Sequence, residues 1–357
     1  MAAPAGPAAR PACRSGESRP RPARRPGRTG RRAPRDGTSL RLLFWGFLKV
    51  ALPERFREQL EAAGELGVET AWYNDPAAAL EAVAGCEAIW YHLPIEEVER
   101  VLGAGPDLRW WSVVSAGVDG WPLELLARRD IQLSNGAGLH AVPIAEYVVM
   151  GILALAKRLP DLVHGQDRRE WIDTGSCPEL FGKRVLIYGY GLIGREIAAR
   201  LRGFGMEVTG VRRHPGQEAG VIGVGGWREQ LSDADFVILS APLTDGTRAL
   251  IGAPELAAMK STACLVNIAR GALVDQTALV AALRSGTISG AYLDVTEVEP
   301  LPAESELWSL PNLFLTPHAS SSSTEFERRA VELFRDNLDR FRTGRPLRNL
   351  VDYEAGY

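Results

Sequence analysis

Apolar and amphipathic segments alternate at regular intervals between residue 183 and the end of the chain. Short apolar runs, six in number, are each followed by a longer amphipathic segment or a loop. The apolar runs predict strands at 183–189, 207–211, 235–240, 264–269, 288–295 and 313–317. The amphipathic segments predict helices at 192–204, 275–285 and 323–342. Strands separated by helices indicate a parallel α/β sheet.

The first half of the chain shows the same alternation. Strands are predicted at 39–48, 69–74, 87–93 and 109–117, and helical segments at 53–64, 76–84, 95–103 and 121–129. A long helix over 141–158, with Pro143 in its first turn, follows this half. The sequence therefore predicts an α/β protein in which parallel sheets flanked by helices form two Rossmann-like or flavodoxin-like domains.

Charge is distributed unevenly along the 357 residues, whose net charge is −3. Residues 1–36 contain ten arginines and only Glu17 and Asp36 as acids, a net charge of +8, so the remainder carries −11. Residues 1–38 are also rich in proline and lack apolar periodicity, which predicts a disordered tail. A transit peptide, a basic binding arm and a segment without a role all remain open for it. The acidic remainder argues against nucleic acid as a partner.

The cysteines and the longest apolar segment bear on location. The four cysteines have no metal-ligand spacing and indicate reduced thiols in a cytoplasmic protein. The longest apolar run, at 147–156, is about half the length of a membrane span, so no membrane association is expected. No metal site is expected either, since the histidines show none of the usual ligand spacings.

The segment GYGLIG at 189–194 follows the first strand of the second half and opens a helix. Gly189 would permit the tight turn, Gly191 would let the backbone approach a pyrophosphate, and Gly194 would let helix and strand pack closely. The helix N-terminus adds free N–H groups and a positive dipole end. In this setting the pattern indicates a dinucleotide site.

The end of the next strand bears on which dinucleotide is bound. NAD sites place an acid there for the ribose 2′-hydroxyl, whereas this strand ends with Arg212 and Arg213. Two guanidinium groups can bind a 2′-phosphate, so NADP(H) is the preferred cofactor and NAD(H) remains possible.

Three residues near strand ends suggest hydride transfer to a ketone. Arg270 would bind a carboxylate and polarise the neighbouring carbonyl, because ligands bind beyond the carboxyl ends of the strands. His318 would supply a proton near neutral pH. Glu299 would orient that histidine, with Glu297 as its rival. Asp294 is a candidate for accepting a hydrogen bond from the nicotinamide amide.

The motifs GYGLIG, APLTDGT (241–247), NIARGALVD (267–275), LDVTEVEPLP (293–302) and TPH (316–318) resemble those of the D-isomer-specific 2-hydroxyacid dehydrogenases. The resemblance covers about residues 40–350. This family includes glyoxylate/hydroxypyruvate reductases. Two departures are the arginine at 212, where NAD-using members carry Asp, and the serines at 320–323.

The resemblance implies two domains around a cleft: a substrate-binding domain of 39–139 plus 320–350, and an NAD(P)-binding domain of 140–319. It implies that Arg270 binds the keto acid, that His318 is the acid and base, and that Glu299 is its partner. It further implies that the backbone of 115–117, with Ala116 and Gly117, binds the carboxylate. Further cofactor contacts are implied for Leu192, Ile193, Pro242, Thr247, Ala269 and Asp294. A homodimer is also implied.

The function predicted is NAD(P)H-dependent reduction of small 2-keto acids of the glyoxylate or hydroxypyruvate type to D-2-hydroxy acids. The alternative is a non-catalytic dinucleotide sensor, similar to a corepressor, on the same fold. Formate oxidation is disfavoured because the resemblance implies an amide at position 299 for it, while phosphite oxidation stays open. Sequence alone does not identify the keto acid.

Overall fold

The computed structural model describes residues 48–91 and 93–356. The predicted tail at 1–38 lies outside these residues, as does the predicted strand at 39–48 apart from Leu48.

The first sheet has five parallel strands. They are β1 (Lys49–Pro53), β2 (Glu69–Tyr73), β3 (Ala88–Trp90), β4 (Trp110–Ser112) and β5 (Gln132–Ser134). The helices between them are α1 (Arg57–Ala62), α2 (Pro76–Ala82), α3 (Ile95–Ala104) and α4 (Leu123–Arg128). The strand order β2-β1-β3-β4-β5 is the flavodoxin-like order.

The first described strand begins at Lys49, after the range that the sequence predicted for it. Four of the five residues of β1 are buried, and only Lys49 is partly exposed. The apolar run continues on both sides of Lys49 without a turn signal, so the periodicity alone does not fix the ends of the strand.

The second sheet has seven parallel strands in the order β12-β11-β10-β9-β6-β7-β8. They are β6 (Arg184–Tyr188), β7 (Glu207–Arg212), β8 (Val221–Gly223), β9 (Phe236–Leu239), β10 (Cys264–Asn267), β11 (Gly290–Leu293) and β12 (Leu313–Leu315). Numbered within the sheet this is 3-2-1-4-5-6-7, the Rossmann order with one added strand. The predicted α/β class with two parallel sheets is confirmed.

Six helices accompany the second sheet or follow it. They are α5 (Ala141–Ala156), α6 (Leu159–Arg168), α7 (Leu192–Gly203), α8 (Ala253–Ala258), α9 (Gln276–Ser285) and α10 (Phe326–Thr343). Helix α5 lies against α7 and the second sheet so closely that a Cβ on Gly151 would fall 2.1 Å from the Tyr292 ring.

Helix α10 packs against the first sheet although it follows the second one in the chain. The Phe334 ring stacks on Trp90, with centroids 4.3 Å apart, and on Trp110, with centroids 5.5 Å apart. This packing suits the proposed division into 39–139 plus 320–350 and 140–319, which stays a proposal.

Four short elements were not predicted from the sequence. They are β5, β8, α6 and α8, of three, three, ten and six residues. In β5 the polar residues Gln132 and Ser134 interrupt the apolar run, and in β8 the glycines at 220 and 223 do so, and neither segment therefore shows a strand pattern. Helix α6 follows closely on α5, and only Lys157 and Arg158, the latter at φ 55°, separate the two, so their apolar residues form one continuous pattern.

Candidate active site

The turn between β6 and α7 places the three glycines of the GYGLIG segment in distinct environments. Gly189 has a φ of 104°, which only glycine adopts without strain. A Cβ on Gly194 would lie 2.5 Å from the Gly189 carbonyl oxygen, so a side chain would push the helix from the strand. A Cβ on Gly191 would meet no atom within 4 Å. This geometry has room for a pyrophosphate at the start of α7.

A cavity of about 470 Å³ lies beside this turn. Its lining includes Gly189, Gly191, Arg212, Arg213, Pro242 and Thr247 from the predicted cofactor set. The Thr247 hydroxyl donates to the Pro242 carbonyl oxygen at 2.8 Å and fixes the loop after β9. The cavity lies between the ends of β6 and β9, where the strand order of the sheet reverses and nucleotides bind in folds of this type.

A second cavity, of about 380 Å³, lies between residues of the two sheets' loops. The loop after β4 contributes Ser115, Ala116, Gly117 and Asp119, and the second sheet's side contributes Ile193, Pro242, Ala269, Arg270 and His318. The structure therefore brings the predicted carboxylate loop, the predicted arginine and the predicted histidine to one cleft. We call this cavity the cleft.

Arg270 is held by the turn that follows β10. The buried Asn267 side chain accepts from the Ala269 N–H at 3.1 Å and donates to the Arg270 carbonyl oxygen at 2.9 Å. A Cβ on Gly271 would lie 2.0 Å from the Thr296 carbonyl oxygen, so this turn packs against the loop after β11. The backbone at Arg270 is thereby fixed relative to the loop that carries Glu299.

His318 follows β12 and contacts Glu299 directly. The distance between His318 Nδ1 and Glu299 Oε2 is 2.7 Å, and Glu299 Oε1 accepts from the Thr296 N–H at 2.9 Å. With Nδ1 committed to the carboxylate, Nε2 is the ring nitrogen that remains for a substrate. Of the two candidate acids, Glu299 is therefore the one that contacts the histidine.

Asp294 is buried at the end of β11 and serves the histidine loop. Its carboxylate accepts from the Thr316 hydroxyl at 2.5 Å and from the N–H groups of Ala319 and Ser320 at 2.9 and 3.1 Å. The His318 N–H donates to the Asp294 carbonyl oxygen at 2.8 Å. The structure thus shows Asp294 holding His318 in place, while its contact with a nicotinamide stays a prediction.

Asp119 is a cleft residue that the sequence did not single out. Its Oδ2 accepts from Arg270 Nη2 at 2.9 Å and from Arg270 Nε at 3.2 Å. The two residues are 151 positions apart, and a lone aspartate in a loop carries no signal of such a partner.

His140 also lines the cleft, at the start of α5. Its Nδ1–H donates to the Ser321 carbonyl oxygen at 3.2 Å, and its ring stacks on Phe326 with centroids 5.1 Å apart. Burial lowers the pKa of this histidine, although the bonded carbonyl of Ser321 opposes the shift.

In residues 48–91 and 93–356, no group of three or more His, Cys, Asp and Glu side chains is arranged to hold a metal ion. None of the helices within these residues combines the length and apolar character needed to cross a membrane.

The chain is similar in sequence to known 2-hydroxyacid dehydrogenases. Residues 149–320 match the model of the D-isomer specific 2-hydroxyacid dehydrogenase, NAD binding domain. A glyoxylate reductase from Korarchaeum cryptofilum is 32% identical over 87% of this chain and 96% of its own length. The chain belongs to the D-isomer-specific 2-hydroxyacid dehydrogenases.

Two solved structures extend the likeness to the whole fold. A D-isomer specific 2-hydroxyacid dehydrogenase family protein from Aeromonas salmonicida is 31% identical with a TM-score of 0.76, covering 86% of this chain and all of that one. An NADPH-dependent glyoxylate/hydroxypyruvate reductase from Sinorhizobium meliloti, in complex with NADP and sulfate, is 28% identical with a TM-score of 0.74 and covers 87% of this chain and all of that one. This member of the dehydrogenase family thus shares both sheets with them.

Proposed function

We propose that this protein reduces small 2-keto acids of the glyoxylate or hydroxypyruvate type to D-2-hydroxy acids, with NADPH preferred over NADH. The observation that carries the proposal is that Arg270 and the His318–Glu299 pair meet at one cleft beside the glycine turn at 189–194. No sensor or scaffold role requires a bonded histidine–carboxylate pair at this place.

Arg270 is the proposed binding group for the substrate carboxylate. Its guanidinium can donate two parallel hydrogen bonds to a carboxylate and polarise the adjacent ketone oxygen. The N–H groups of Ala116 and Gly117 donate to no protein acceptor among the described residues, so they remain for the same carboxylate. Together these donors would fix the keto carbon within the cleft.

His318 is the proposed proton donor. Glu299 stabilises the protonated ring through Nδ1 and fixes its orientation, while Nε2 holds the proton that the ketone oxygen takes as it becomes a hydroxyl. Asp294 adds a second constraint, because its carbonyl oxygen accepts from the His318 N–H and its carboxylate accepts from the Ala319 N–H.

The cavity of about 470 Å³ beside the glycine turn suits a nicotinamide dinucleotide. Such a cofactor supplies the hydride when bound. Arg212 and Arg213 line the end of the cavity where β7 stops, and we propose that they bind a 2′-phosphate. Glu218 is an acid near these arginines. Its carboxylate accepts from Arg195 Nη1 at 2.6 Å and from Arg195 Nη2 at 2.5 Å, and this pairing lowers the pKa of Glu218. Glu218 is therefore already paired with Arg195.

The related proteins support the same activity. The relative from Korarchaeum cryptofilum is named a glyoxylate reductase, and the one from Sinorhizobium meliloti is named as NADPH-dependent. Neither name describes a sensor or corepressor, so the non-catalytic alternative gains no support.

The test is a spectrophotometric assay at the nicotinamide absorbance band with glyoxylate, hydroxypyruvate, pyruvate and phosphite. We expect consumption of NADPH with the first two and slower consumption of NADH. Binding of NADPH without turnover of any keto acid would overturn the enzymatic assignment. Turnover of phosphite with NADP⁺ alone would overturn the choice of substrate.

We further propose a homodimer that covers the apolar surface of α6 and the segment after it. Leu159, Leu162 and Val163 of α6 are exposed, and the Trp171 side chain is fully exposed. Large exposed apolar patches often mark an interaction surface between proteins. Light scattering should give twice the chain mass, and Trp171→Glu should shift the protein towards the monomer; a monomeric wild type would refute this.

The cytoplasm remains the proposed location. The described cysteines are free, and Cys86 and Cys264 are buried. Reduced thiols are typical of a reducing compartment.

A further inference from the structure

The substrate arginine already has a carboxylate ligand from the protein itself. Arg270 Nη2 and Nε both donate to Asp119 Oδ2, and Nη1 donates to the Ala269 carbonyl oxygen at 2.8 Å. The Nε–Nη2 edge of a guanidinium is one that matches a carboxylate in two-point binding. Asp119 therefore occupies the edge on which a keto acid would be held.

The ion pair lies over the backbone that the carboxylate would also contact. A Cβ on Gly117 would fall 2.2 Å from Arg270 Nη2 and 2.8 Å from Asp119 Oδ2. In the same loop, the buried Ser115 hydroxyl has no hydrogen-bond partner among the described residues. Close to the Asp119 carboxylate, the loop thus presents hydrogen-bond donors that have no acceptor in the described part of the protein.

We propose that Asp119 is an internal competitor for Arg270, so that the substrate binds by exchanging its carboxylate for that of Asp119. The inference rests on the proposed function, because it takes Arg270 as the keto acid's ligand. Asp119 reaches Arg270 from a loop of the first sheet, so the exchange also replaces a contact between the loops of the two sheets with contacts to the substrate.

The strength of the pair limits the size of the effect. The Arg270 and Asp119 side chains are 38% and 46% exposed, so water screens their attraction. A competitor that occupies a site for part of the time raises the apparent dissociation constant by the reciprocal of the fraction of free sites. A partly exposed ion pair corresponds to a factor of roughly 2–5.

A positioning role for Asp119 makes the opposite prediction. If the carboxylate mainly orients the guanidinium for the substrate, its removal loosens Arg270 and weakens carboxylate binding. The sign of the change in affinity therefore separates competition from positioning.

The experiment compares the wild type with Asp119→Asn, which keeps the shape and removes the charge. Glu124→Gln is the matched control. Glu124 is an exposed acid just after the same loop, and it pairs with Arg128 and not with Arg270. Asp119→Ser is a second variant in case the amide makes a new bond to Arg270. Binding of oxamate, an unreactive isostere of a 2-keto carboxylate, is measured by calorimetry with NADP⁺ present, and KM and kcat are measured with glyoxylate.

We expect Asp119→Asn and Asp119→Ser to bind oxamate roughly 2–5-fold more tightly than the wild type, with KM for glyoxylate lowered by a similar factor. The Glu124→Gln variant should match the wild type. Weaker or unchanged oxamate binding in both Asp119 variants would overturn the proposal. If the wild type reduces no keto acid, the proposed function fails instead, and that result is read before any variant is compared.

Discussion

Two of the basic side chains that line the cleft, Arg270 and His318, are each bound by a carboxylate, and the two pairs differ in how they are held. His318 is paired with Glu299, 19 residues earlier, at 2.7 Å, and both residues lie in loops of the second sheet. Arg270 is paired with Asp119, 151 residues earlier, at 2.9 Å, from a loop of the first sheet. Glu299 is itself anchored by the Thr296 N–H, whereas Arg270 is the only hydrogen-bond partner of the Asp119 carboxylate among the described residues. We call His318–Glu299 the persistent pair and Arg270–Asp119 the exchangeable pair, because only the second is proposed to open when the substrate binds.

Removing the histidine should have the largest effect on this comparison. In His318→Ala the proton donor is lost, so kcat for glyoxylate should fall by roughly 10²–10⁴. The measurement is steady-state kinetics with saturating NADPH. Since Arg270 is untouched, oxamate binding should stay near the wild-type value. A variant with more than half of the wild-type kcat would remove His318 from the mechanism.

Breaking the persistent pair should have the next largest effect. Glu299→Gln keeps the side-chain shape but loses the charge that stabilises the protonated ring. A hydrogen bond to a charged group contributes about 1.5–3 kcal/mol, so kcat should fall roughly 10–100-fold.

The matched control for this variant is Glu297→Gln, since Glu297 stands two residues earlier in the same loop. It should behave as the wild type. An equal loss of kcat in Glu299→Gln and Glu297→Gln would mean that the negative charge of the loop matters wherever it lies. The contact between Glu299 and His318 Nδ1 would then have no special role.

The persistent pair could be predicted from the sequence, whereas the exchangeable pair could not. Arg270 and His318 directly follow or lie close to the ends of β10 and β12, and parallel strands present such ends at one edge of a sheet. Glu299 likewise lies in the loop after β11, and only the contact with His318 in the structure distinguishes it from Glu297. Asp119 depends on how loops of two sheets meet across the cleft, and no local pattern encodes that distance.

The same reasoning applies to the fold. Six of the seven strands of the second sheet were predicted within a few residues, because a buried strand needs a continuous apolar run. The three-residue strands β5 and β8 were missed, since their position depends on pairing with β4 and β7 rather than on their own sequence.

A third prediction separates the cofactor cavity from both pairs. Arg212→Ser removes one guanidinium at the end of β7, so KM for NADPH should rise by roughly tenfold. KM for NADH and the affinity for oxamate should change little, because neither ligand carries a 2′-phosphate. Arg248→Ser, at an exposed arginine outside the lining, is the control. An equal rise for NADPH and NADH would show that Arg212 supports the cavity without selecting the phosphate.

The smallest expected effect concerns His140, which makes another contact across the cleft through the Ser321 carbonyl oxygen. Burial holds the pKa of His140 below its usual value of 6.5, so the unfolded chain binds a proton more readily than the folded one. Stability should therefore be complete above pH 6.5 and decline as the pH falls below it. In His140→Gln this part of the decline is absent, and the Tm difference between pH 7 and pH 5.5 should shrink by at most about 2 °C. The exposed His164→Gln variant should keep the wild-type slope, and a wild-type slope in His140→Gln would show that the cross-cleft histidine does not titrate with folding.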